Sequence, residues 1–510
     1  MQPFWHFLPV QVFSGEMTPA ILQSCSTTMG LGLLRATERV SREVTTALGK
    51  QAARAIVGRA GLRRIAMCTW RWLGPAAKLI AAIGPAMIGT SQPKRLLVLC
   101  TTTGYQTCAF IEAAQKLGLS ITFGTDRCHV LDDPWQDGAL PLRFEDPEAS
   151  AQRICDFAAS NPLDAIVSIG DRPTSTGARA CHRLGLRGHP PEATDICRDK
   201  YRSRERLRDA GLNVPAFKRS PLHSNPLQLI ASGEITFPCV LKPLALSGSR
   251  GVIRADTPEE FVQAFERIRK LLRSPEVGVL REETSEFIQV ENYIDGLEIA
   301  VEGLADRGKL KVLAIFDKPD PLVGPFFEET IYVTPSRLEP PIQAEVARTL
   351  QRAVDALGLF HGPLHAELRV KGNCTWILEI AARPIGGLCA RSLRFGNGIS
   401  LEELIIRHAL DEPVTHLRRE EASSGVMMIP IPQEGIYKGV EQLEQAAQVP
   451  GIEAIEITAK LRQKLVPLPE GSSYLGFIFA RGDSPQYVEG ALRESHPKLR
   501  FVISSSLPVV

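Results

Sequence analysis

The segment 365–387 constrains the fold of this 510-residue chain more than any other part of it. Two apolar stretches flank a tight turn at 371–373, a pattern typical of two antiparallel strands joined as a hairpin. Each predicted strand carries one carboxylate among apolar neighbours, Glu367 in the first strand and Glu379 in the second. If the paired residues have numbers that sum to an even value, both carboxylates lie on one face, roughly 5–8 Å apart at Cβ.

Two carboxylates at that separation suit a metal ion. Mg²⁺ prefers hard oxygen ligands, and in nucleotide sites it bridges protein carboxylates and phosphate oxygens. Arg383 follows Glu379 by four residues and places a fixed positive charge nearby. An ordinary surface hairpin also carries two glutamates, so the hairpin indicates a nucleotide site only if the rest of such a site lies upstream.

The composition argues against several classes of protein. The formal net charge is +2, so no overall positive field favours nucleic acid. The 11 cysteines are scattered without a Cys-x-x-Cys pair, which argues against a structural zinc site and favours a reducing compartment. We therefore expect a cytoplasmic protein that does not bind nucleic acid.

The first 92 residues differ from the rest because basic residues greatly outnumber acidic ones. Three interpretations compete: an amphipathic targeting segment, a helical extension, and a poorly ordered leader with Met87 closer to the true start. The apolar stretch 73–88 is interrupted by two prolines and a lysine, so it falls short of a membrane span. We favour a basic leader at 1–92 and expect no membrane association.

From residue 93 the pattern becomes regular. Strand patterns at 95–100, 120–123 and 164–169 alternate with helical ones such as 151–160. This alternation predicts a small doubly wound α/β domain at 93–195.

The remaining chain divides into two regions. The first, at 196–415, mixes strands and helices and includes a long helix at 340–357 that opens with prolines. A proline followed by a polar run then reads as a linker. Strand and helix patterns resume beyond it, which predicts an α+β module at 420–510.

A candidate phosphate-binding loop lies in the second region. Lys242 ends a predicted strand and precedes a loop of small residues at 247–251. Glycines let backbone N–H groups approach phosphate oxygens, and a lysine beside them neutralises charge. The order differs from the P-loop, in which the lysine follows the glycines. A mobile surface loop has the same composition, so both interpretations stay open at this point.

Acidic residues recur in the strands that follow the loop. Glu291 ends one predicted strand, and Glu298 and Glu302 lie on the next. The last two are an even number of residues apart, so they share one face of their strand. Acids repeated on one face among apolar residues indicate a polar site, although an exposed strand face explains them equally well.

In this order, these features resemble the ATP-grasp superfamily. The similarity is closest to ATP-dependent carboxylate–amine ligases of the L-amino-acid ligase type. It rests on the Glu-x-x-x-Arg-x-x-Gly spacing of Glu379, Arg383 and Gly386, and on the Gly-Val-Met-Met-Ile-Pro start of the last module. The resemblance implies an α/β and α+β multidomain chain, with an ATP-grasp fold between the doubly wound domain and a small C-terminal module. Residues at about 200–285 would form a mobile lid.

The resemblance also implies roles for individual residues. Lys242 and Arg383 would be the catalytic cations beside the transferred phosphoryl group. Glu367 and Glu379 would bind two Mg²⁺ ions, with Mn²⁺ as an alternative metal. ATP would contact Lys200, Lys242, Ser247, Gly248, Ser249, Gly251, Glu291, Ile294 and Glu298.

Three members of the ATP set have more specific implied positions. Glu291 matches the acid near the adenine amino group, and the backbone of Ile294 would face the ring. Glu298 matches the position that binds ribose.

One residue departs from the resemblance. Many relatives have Glu-x-Asn on the second metal strand, whereas Ala381 stands in place of the asparagine. One metal oxygen ligand is then missing and has to come from water or substrate. We interpret this as a subgroup character rather than loss of the site, and it leaves the affinity of the second Mg²⁺ open.

The implied activity is formation of an amide or peptide bond from ATP, a small carboxylate and an amine. The substrate carboxylate would attack the γ-phosphate, and the amine would then attack the acyl phosphate. The oligomeric state stays open, with a homodimer as one candidate. Residues proposed to contact substrate are Lys318, Glu328, Glu329, His365, Gly386, Gly387 and Arg391, with Arg394 as an alternative to the last.

Two other functions compete with this one. A biotin-carboxylase-like enzyme would use the same fold, but Ala381 and the lack of a biotin-carrier Met-Lys-Met argue against it. A regulatory protein that binds ATP without turnover is the second. Retention of both lysines, both metal carboxylates and the arginine argues against a regulator.

Overall fold

The computed structural model describes residues 93–101, 106–126, 139–279 and 282–505. The basic leader predicted at 1–92 lies outside these residues. Within them, no helix is both long and apolar enough to cross a membrane.

The first part of the described chain is a parallel sheet with helices on both faces. Its elements are β1 (Arg95–Cys100), α1 (Thr107–Lys116), β2 (Ser120–Thr125), β3 (Leu140–Pro141), α2 (Pro147–Ser160), β4 (Ala165–Ile169), α3 (Thr174–Leu184) and α4 (Pro191–Arg198). The strands are parallel in the order β3-β2-β1-β4.

Strand β1 shows why this sheet is buried on both sides. Leu96 and Val98 lie in one hydrophobic core, whereas Leu97 and Leu99 lie in another. A strand with a core on each face needs a continuous apolar run rather than alternation. The predicted doubly wound fold is confirmed, while its boundaries at 93–195 stay a prediction.

The next part contains a four-stranded antiparallel sheet in the order β5-β8-β6-β7. Its elements are α5 (Lys200–Asp209), β5 (Phe217–Pro221), α6 (Pro226–Ala231), β6 (Cys239–Pro243), β7 (Ile253–Ala255), α7 (Pro258–Leu272), α8 (Pro275–Gly278) and β8 (Phe287–Asn292), with a 3-10 turn at Glu283–Glu286. Helix α7 begins where Thr257 accepts a hydrogen bond from the backbone N–H of Glu260. Its buried side chains, including Phe261 and Phe265, cover the sheet and give this subdomain its own core.

An eight-stranded antiparallel sheet forms the centre, in the order β13-β12-β9-β10-β11-β16-β20-β18. The central elements are β9 (Leu297–Asp306), β10 (Lys309–Asp317), β11 (Ile331–Thr334), α9 (Pro340–Leu357), β12 (Gly362–Lys371), β13 (Cys374–Ala381), β14 (Arg394–Phe395), β15 (Ile399–Ser400) and α10 (Leu401–Ala409), with a 3-10 turn at Cys389–Ser392. The last elements are β16 (Ser423–Ile429), β17 (Gly435–Glu441), α11 (Leu443–Ala447), β18 (Ile452–Ile457), β19 (Lys464–Leu465), β20 (Gly476–Gly482), α12 (Pro485–Ser495) and β21 (Arg500–Ser504), with a 3-10 turn at His496–Lys498.

The central sheet crosses the boundary predicted near residue 420. Strands β16, β20 and β18 belong to the predicted C-terminal module, yet they extend the sheet through the pairing of β11 with β16. The C-terminal module therefore shares a hydrogen-bonded sheet with the central domain, and the two are not connected through a linker alone. The other two sheets are small, in the orders β19-β17-β21 and β14-β15.

The buried residue His189 joins the first part of the chain to the central sheet. Its Nε2–H donates to the carbonyl of Pro363 at 3.0 Å, and its Nδ1 accepts from the backbone N–H of Phe360 at 3.1 Å. The bond from Phe360 requires a neutral ring, since protonation of Nδ1 would remove the acceptor. Burial accordingly lowers the pKa of His189 to about 4.

This depressed pKa predicts an acid-sensitive fold. The unfolded chain takes up the proton near pH 6.5 and the folded chain only near pH 4, so stability falls as pH drops through that window. We expect His189 to contribute a loss of about 2 kcal/mol in the free energy of unfolding between pH 7.5 and pH 5. Urea unfolding at both pH values should show this loss in the wild type and a smaller one in His189→Gln. The exposed His223→Gln should behave like the wild type, and an equal acid loss in His189→Gln would refute the assignment.

Candidate active site

The register of the hairpin places the two predicted metal ligands directly opposite each other. At the turn, Lys371 pairs with Cys374, so the numbers sum to an odd value and Glu367 would face away from Glu379. A β-bulge at Leu378 adds one residue to β13, and beyond it Glu367 pairs with Glu379. The predicted shared face is therefore present, through a bulge beyond a two-residue turn rather than through a three-residue turn at 371–373.

The neighbouring strand β9 completes a charged face on the sheet. Arg369, Glu367 and His365 on β12 pair in turn with three residues of β9, namely Glu298, Ala300 and Glu302. Alternation in a strand puts all six side chains on the same side. The small Ala300 side chain leaves space beside Glu367 that a longer neighbouring side chain can occupy.

Lys318, just beyond β10, occupies part of that space. Its ammonium group lies 2.9 Å from Glu298, 3.8 Å from Glu367 and within hydrogen-bond distance of Glu329. Burial opposes its charge, but the three carboxylates outweigh burial and raise the pKa of Lys318 well above its usual range. Lys318 thus acts as an internal cation for these three glutamates.

His365 connects Glu367 to a second buried acid. Its Nδ1 lies 2.5 Å from Glu302, and its Nε2 lies 3.7 Å from Glu367. Burial lowers the pKa of His365, but Glu302 and then Glu367 outweigh it and raise the pKa to about 9. The other oxygen of Glu302 accepts from the backbone N–H of Ile385 at 3.1 Å, which fixes the acid in place.

The two predicted phosphate-binding lysines both line the cleft. Lys200, at the start of α5, donates to the carbonyl of Leu246 at 2.9 Å and lies 3.3 Å from Glu379. Lys242, at the end of β6, lies 2.6 Å from an oxygen of Glu291. Lys200 thus contacts both the segment before the loop at 247–251 and the hairpin, whereas Lys242 contacts the acid that ends β8.

Glu291 is held between two cations. Besides Lys242, it accepts a hydrogen bond from Nε of Arg204 at 2.8 Å. Burial raises the pKa of Glu291, but Arg204 and Lys242 outweigh burial and lower the pKa to about 2. Burial in turn lowers the pKa of Lys242, and Glu291 offsets part of that effect. Glu291 lines the cleft, but its carboxylate already has these partners, so its predicted contact with the adenine amino group stays a prediction.

The predicted ribose acid, Glu298, has a similar position. It receives hydrogen bonds from Lys318 and from Nε of Arg369, each at 2.9 Å. Arg369 also donates at 2.6 Å to the carbonyl of Ile294, whose backbone is predicted to face the adenine ring. Ribose hydroxyl groups would therefore have to donate to a carboxylate that two cations already hold.

The loop at 247–251 contacts the C-terminal part of the chain. The backbone N–H of Gly251 donates to the carbonyl of Pro469 at 2.8 Å, and Arg250 donates to the carbonyl of Glu470 at 2.7 Å. Gly251 has a φ of +74°, and an added Cβ would lie 2.8 Å from Pro243. Only glycine fits this turn without strain.

Many of these residues line one cleft, whose space of about 840 Å³ includes open solvent. Apolar and aromatic side chains at one end would suit a nucleotide base, including Val240, Tyr293 and Phe327. The predicted residues that line it are Lys200, Lys242, Ser247, Gly248, Ser249, Glu291, Ile294, Glu298, His365, Glu367, Glu379 and Arg383.

The other predicted substrate residues lie beside the cleft or away from it. Gly387 has a φ of +60° and packs so closely on Phe477 that an added Cβ would lie 2.9 Å from its ring. Arg391 is exposed, pairs with Glu456 and lies over the ring of Phe479. Among all residues predicted to bind ATP or substrate, those that do not line the cleft are Gly251, Lys318, Glu328, Glu329, Gly386, Gly387 and Arg391.

Three charged residues of the site are absent from the sequence prediction. Arg369 alternates with Glu367 on β12, a spacing that would have indicated it. Arg204 lies four residues after Lys200, on the buried face of α5. Asp171 is bound by Arg383 across 212 residues, and no local pattern indicates it.

The hairpin residues fit a hard divalent cation. Glu367 and Glu379 are directly opposed and half-buried, and both offer oxygen ligands to the cleft. Ala381 pairs with His365 and contributes no ligand, as the sequence indicates. Lys318 and His365 already place positive charge beside Glu367.

Comparison with known families agrees with this geometry. Residues 111–188 match the ATP-grasp N-terminal domain, residues 235–392 the ATP-grasp domain, and residues 427–504 the L-amino acid ligase C-terminal domain 2. The chain therefore contains ATP-grasp domains followed by an L-amino acid ligase C-terminal domain. The predicted superfamily and fold class are confirmed.

Individual proteins are similar over different shares of the chain. Alanine–anticapsin ligase of Bacillus subtilis (strain 168) is 29% identical over 273 residues, which cover 51% of this chain and 56% of that protein. Carnosine synthase 1 of Gallus gallus is 28% identical over 301 residues, 55% of this chain and 31% of that protein. The matched part thus spans about half the length of the first relative, and less of the second. The crystal structure of an L-amino acid ligase from Bacillus licheniformis has a TM-score of 0.66 at 27% identity, covering 82% of this chain and 100% of that one.

Proposed function

We propose that this chain is an ATP-dependent carboxylate–amine ligase that acts on an amino acid. The observation that carries the proposal is the convergence of two lysines, two opposed carboxylates and one arginine in a single cleft. Similarity to an alanine–anticapsin ligase and to an L-amino acid ligase supports an amino acid as one substrate. The domain divisions at 196–415 and 420–510 belong to the same proposal.

The proposed reaction has two steps on the substrate. An oxygen of the substrate carboxylate forms a bond to the γ-phosphorus of ATP while the bond from that phosphorus to ADP breaks. The amine then forms a bond to the carbonyl carbon, phosphate leaves with the bonding electrons, and the amine loses a proton. Because negative charge moves among phosphoryl oxygens, the chain contributes mainly position and positive charge.

Each cation of the cleft has a place in this scheme. Lys200 and Lys242 line the cleft and would bind phosphate oxygens, and Arg383 lies just beyond the metal hairpin. Glu367 and Glu379 would hold Mg²⁺, which when bound would neutralise phosphate charge. A second ion would lack the ligand that Ala381 does not supply, so we propose weaker binding there.

The amine-binding side is proposed to include Glu328. This residue is half-buried, and burial raises the pKa of its carboxyl group. A substrate ammonium group beside Glu328 would offset that burial by supplying a positive charge. Glu329 is a weaker candidate because Lys318 already pairs with it.

Exclusion of water is a further requirement, because water hydrolyses an acyl phosphate. The loop at 247–251 lines the cleft. Its hydrogen bonds to the carbonyls of Pro469 and Glu470 keep the loop in this position. We propose that these contacts break for exchange of nucleotide and re-form before the phosphoryl transfer.

The decisive experiment is a pairwise screen of amino acids and small carboxylates with ATP and Mg²⁺, read by ADP release and product mass. We expect ADP to form rapidly only when a carboxylate and an amine are both present. The expected product has the mass of the two substrates less one water molecule.

The same screen separates the two competing functions. Robust ADP formation with bicarbonate alone would favour a carboxylase. Tight ATP binding without turnover for any tested pair would favour a regulatory protein and contradict the ligase.

A further inference from the structure

The first domain contacts the cleft through a residue that is distant in sequence from the hairpin. Asp171 follows β4 and Gly170, and its carboxylate binds the guanidinium of Arg383, which lines the cleft just beyond β13. The carboxyl ends of parallel strands are where α/β sheets place functional side chains. Asp171 is therefore positioned as a binding residue of that sheet would be, but its partner is a side chain of the protein.

The contact between Asp171 and Arg383 is bidentate. Nε donates to one carboxylate oxygen at 2.8 Å, and Nη2 donates to the other at 3.0 Å. Nη1 donates to the carbonyl of Pro384 at 2.9 Å. An arginine has five N–H donors. Three are used by these bonds, so two stay available for phosphoryl oxygens in the cleft that Arg383 lines.

Two planar groups joined by two parallel hydrogen bonds can rotate little relative to each other. Without Asp171, the long side chain of Arg383 could rotate about several bonds, and the nearby carboxylates of Glu379 and Glu302 would attract its guanidinium. Burial disfavours its charge, but Asp171 outweighs burial and raises the pKa of Arg383 above its usual range. The carboxylate thus fixes the direction of the guanidinium.

We propose that Asp171 is a positioning residue for phosphoryl transfer, which directs Arg383 toward the γ-phosphoryl group and makes the first domain part of the active site. The proposal rests on the proposed ligase function for its kinetic consequence. Its binding consequence does not, because Arg383 would contact the γ-phosphoryl group of bound ATP even in a protein that never turns over.

The test variant is Asp171→Asn, which keeps the size of the side chain and removes its charge and one acceptor. The chain offers a control in Asp195, which also accepts a bidentate contact from an arginine: Nη1 and Nη2 of Arg179 donate to its two oxygens at 3.0 and 2.8 Å. Neither Asp195 nor Arg179 lines the cleft. A purely structural role for Asp171 would make Asp171→Asn and Asp195→Asn behave alike in both thermal stability and binding.

The binding measurement compares a non-hydrolysable ATP analogue with ADP by calorimetry, in the full chain with Mg²⁺. In Asp171→Asn we expect the affinity for the analogue to fall about tenfold relative to the affinity for ADP. A change of about tenfold is the expected cost of losing one charged hydrogen bond between Arg383 and the γ-phosphoryl group. Asp195→Asn should keep the wild-type ratio. An unchanged ratio in Asp171→Asn would overturn the proposal, whether or not the protein is a ligase.

The kinetic measurement applies once the substrate screen has given a working pair. Misplacement of Arg383 by about 1 Å should lower kcat about a hundredfold while KM for the amine changes little. Asp171→Glu should recover part of the rate because it restores the charge. If Asp171→Asn has the same kcat as Asp195→Asn, Asp171 does not position Arg383 for catalysis. If the wild type shows no turnover at all, only the ligase function is contradicted, because the binding measurement does not depend on it.

Discussion

Glutamine in place of Glu379 should stop turnover while leaving the protein folded. Glu379 faces Glu367 across the hairpin, lies 3.3 Å from the ammonium group of Lys200 and is half-buried. The change keeps the shape of the side chain but removes the charge that binds Mg²⁺ and attracts the lysine. We expect ADP release with a productive substrate pair to fall on the order of 10³-fold, comparable to loss of a key electrostatic group in other enzymes.

The measurement needs a control that separates charge at this site from charge elsewhere. Glu444 is an exposed glutamate on α11, and Glu444→Gln should keep the wild-type rate and Mg²⁺ dependence. Glu379→Gln should also require more Mg²⁺ for half-maximal nucleotide binding, with a thermal midpoint close to the wild type. An unchanged rate in Glu379→Gln would remove the hairpin from the mechanism.

The hairpin shows how far the sequence alone defines the site. Its strands, its turn region and the two carboxylates follow from the local pattern, as does the helix at 340–357, which begins at prolines and ends at Gly358 with a φ of +73°. The register does not follow, since a two-residue turn by itself would separate the two carboxylates onto opposite faces. Only the bulge at Leu378 corrects this, and bulges depend on contacts beyond the hairpin.

Features that join distant parts of the chain were beyond sequence reasoning for the same physical reason. The pairing of β11 with β16 and the contact of Asp171 with Arg383 bring together residues far apart in sequence, and neither leaves a periodic pattern. Glu298 illustrates the converse case. The sequence places it on the correct face, but the charge on that face is shared with Lys318 and Arg369, which the pattern of acids does not reveal.

Arg204 is the residue whose loss should destabilise the site most. Its side chain is 1% exposed, and its Nε donates to Glu291 at 2.8 Å. Its Nη2 donates to the carbonyl of Leu378, the bulge residue that sets the hairpin register. One side chain therefore connects the partner of Lys242 to the spacing of the two metal carboxylates.

Replacing Arg204 with methionine keeps the apolar length of the side chain and removes both connections. Glu291 is then left buried with less positive charge, and the carbonyl of Leu378 loses its donor. Breaking a buried ion pair on one side costs about 3–5 kcal/mol of unfolding free energy. Turnover should fall as well at temperatures where the variant is folded, because the bulge is no longer held.

The matched control lies on the same helix. Arg206 is half-exposed and pairs with the exposed Glu192 at 3.1 Å, so Arg206→Met should cost at most about 1 kcal/mol. A third variant, Arg204→Met combined with Glu291→Gln, removes the unpaired charge and should be less unstable than the sum of the two single changes. Urea unfolding of the wild type, the two arginine variants, the single variant Glu291→Gln and the double variant gives the comparison. A loss in Arg204→Met no larger than that in Arg206→Met, or full additivity in the double variant, would show that Arg204 does not connect the two halves of the site.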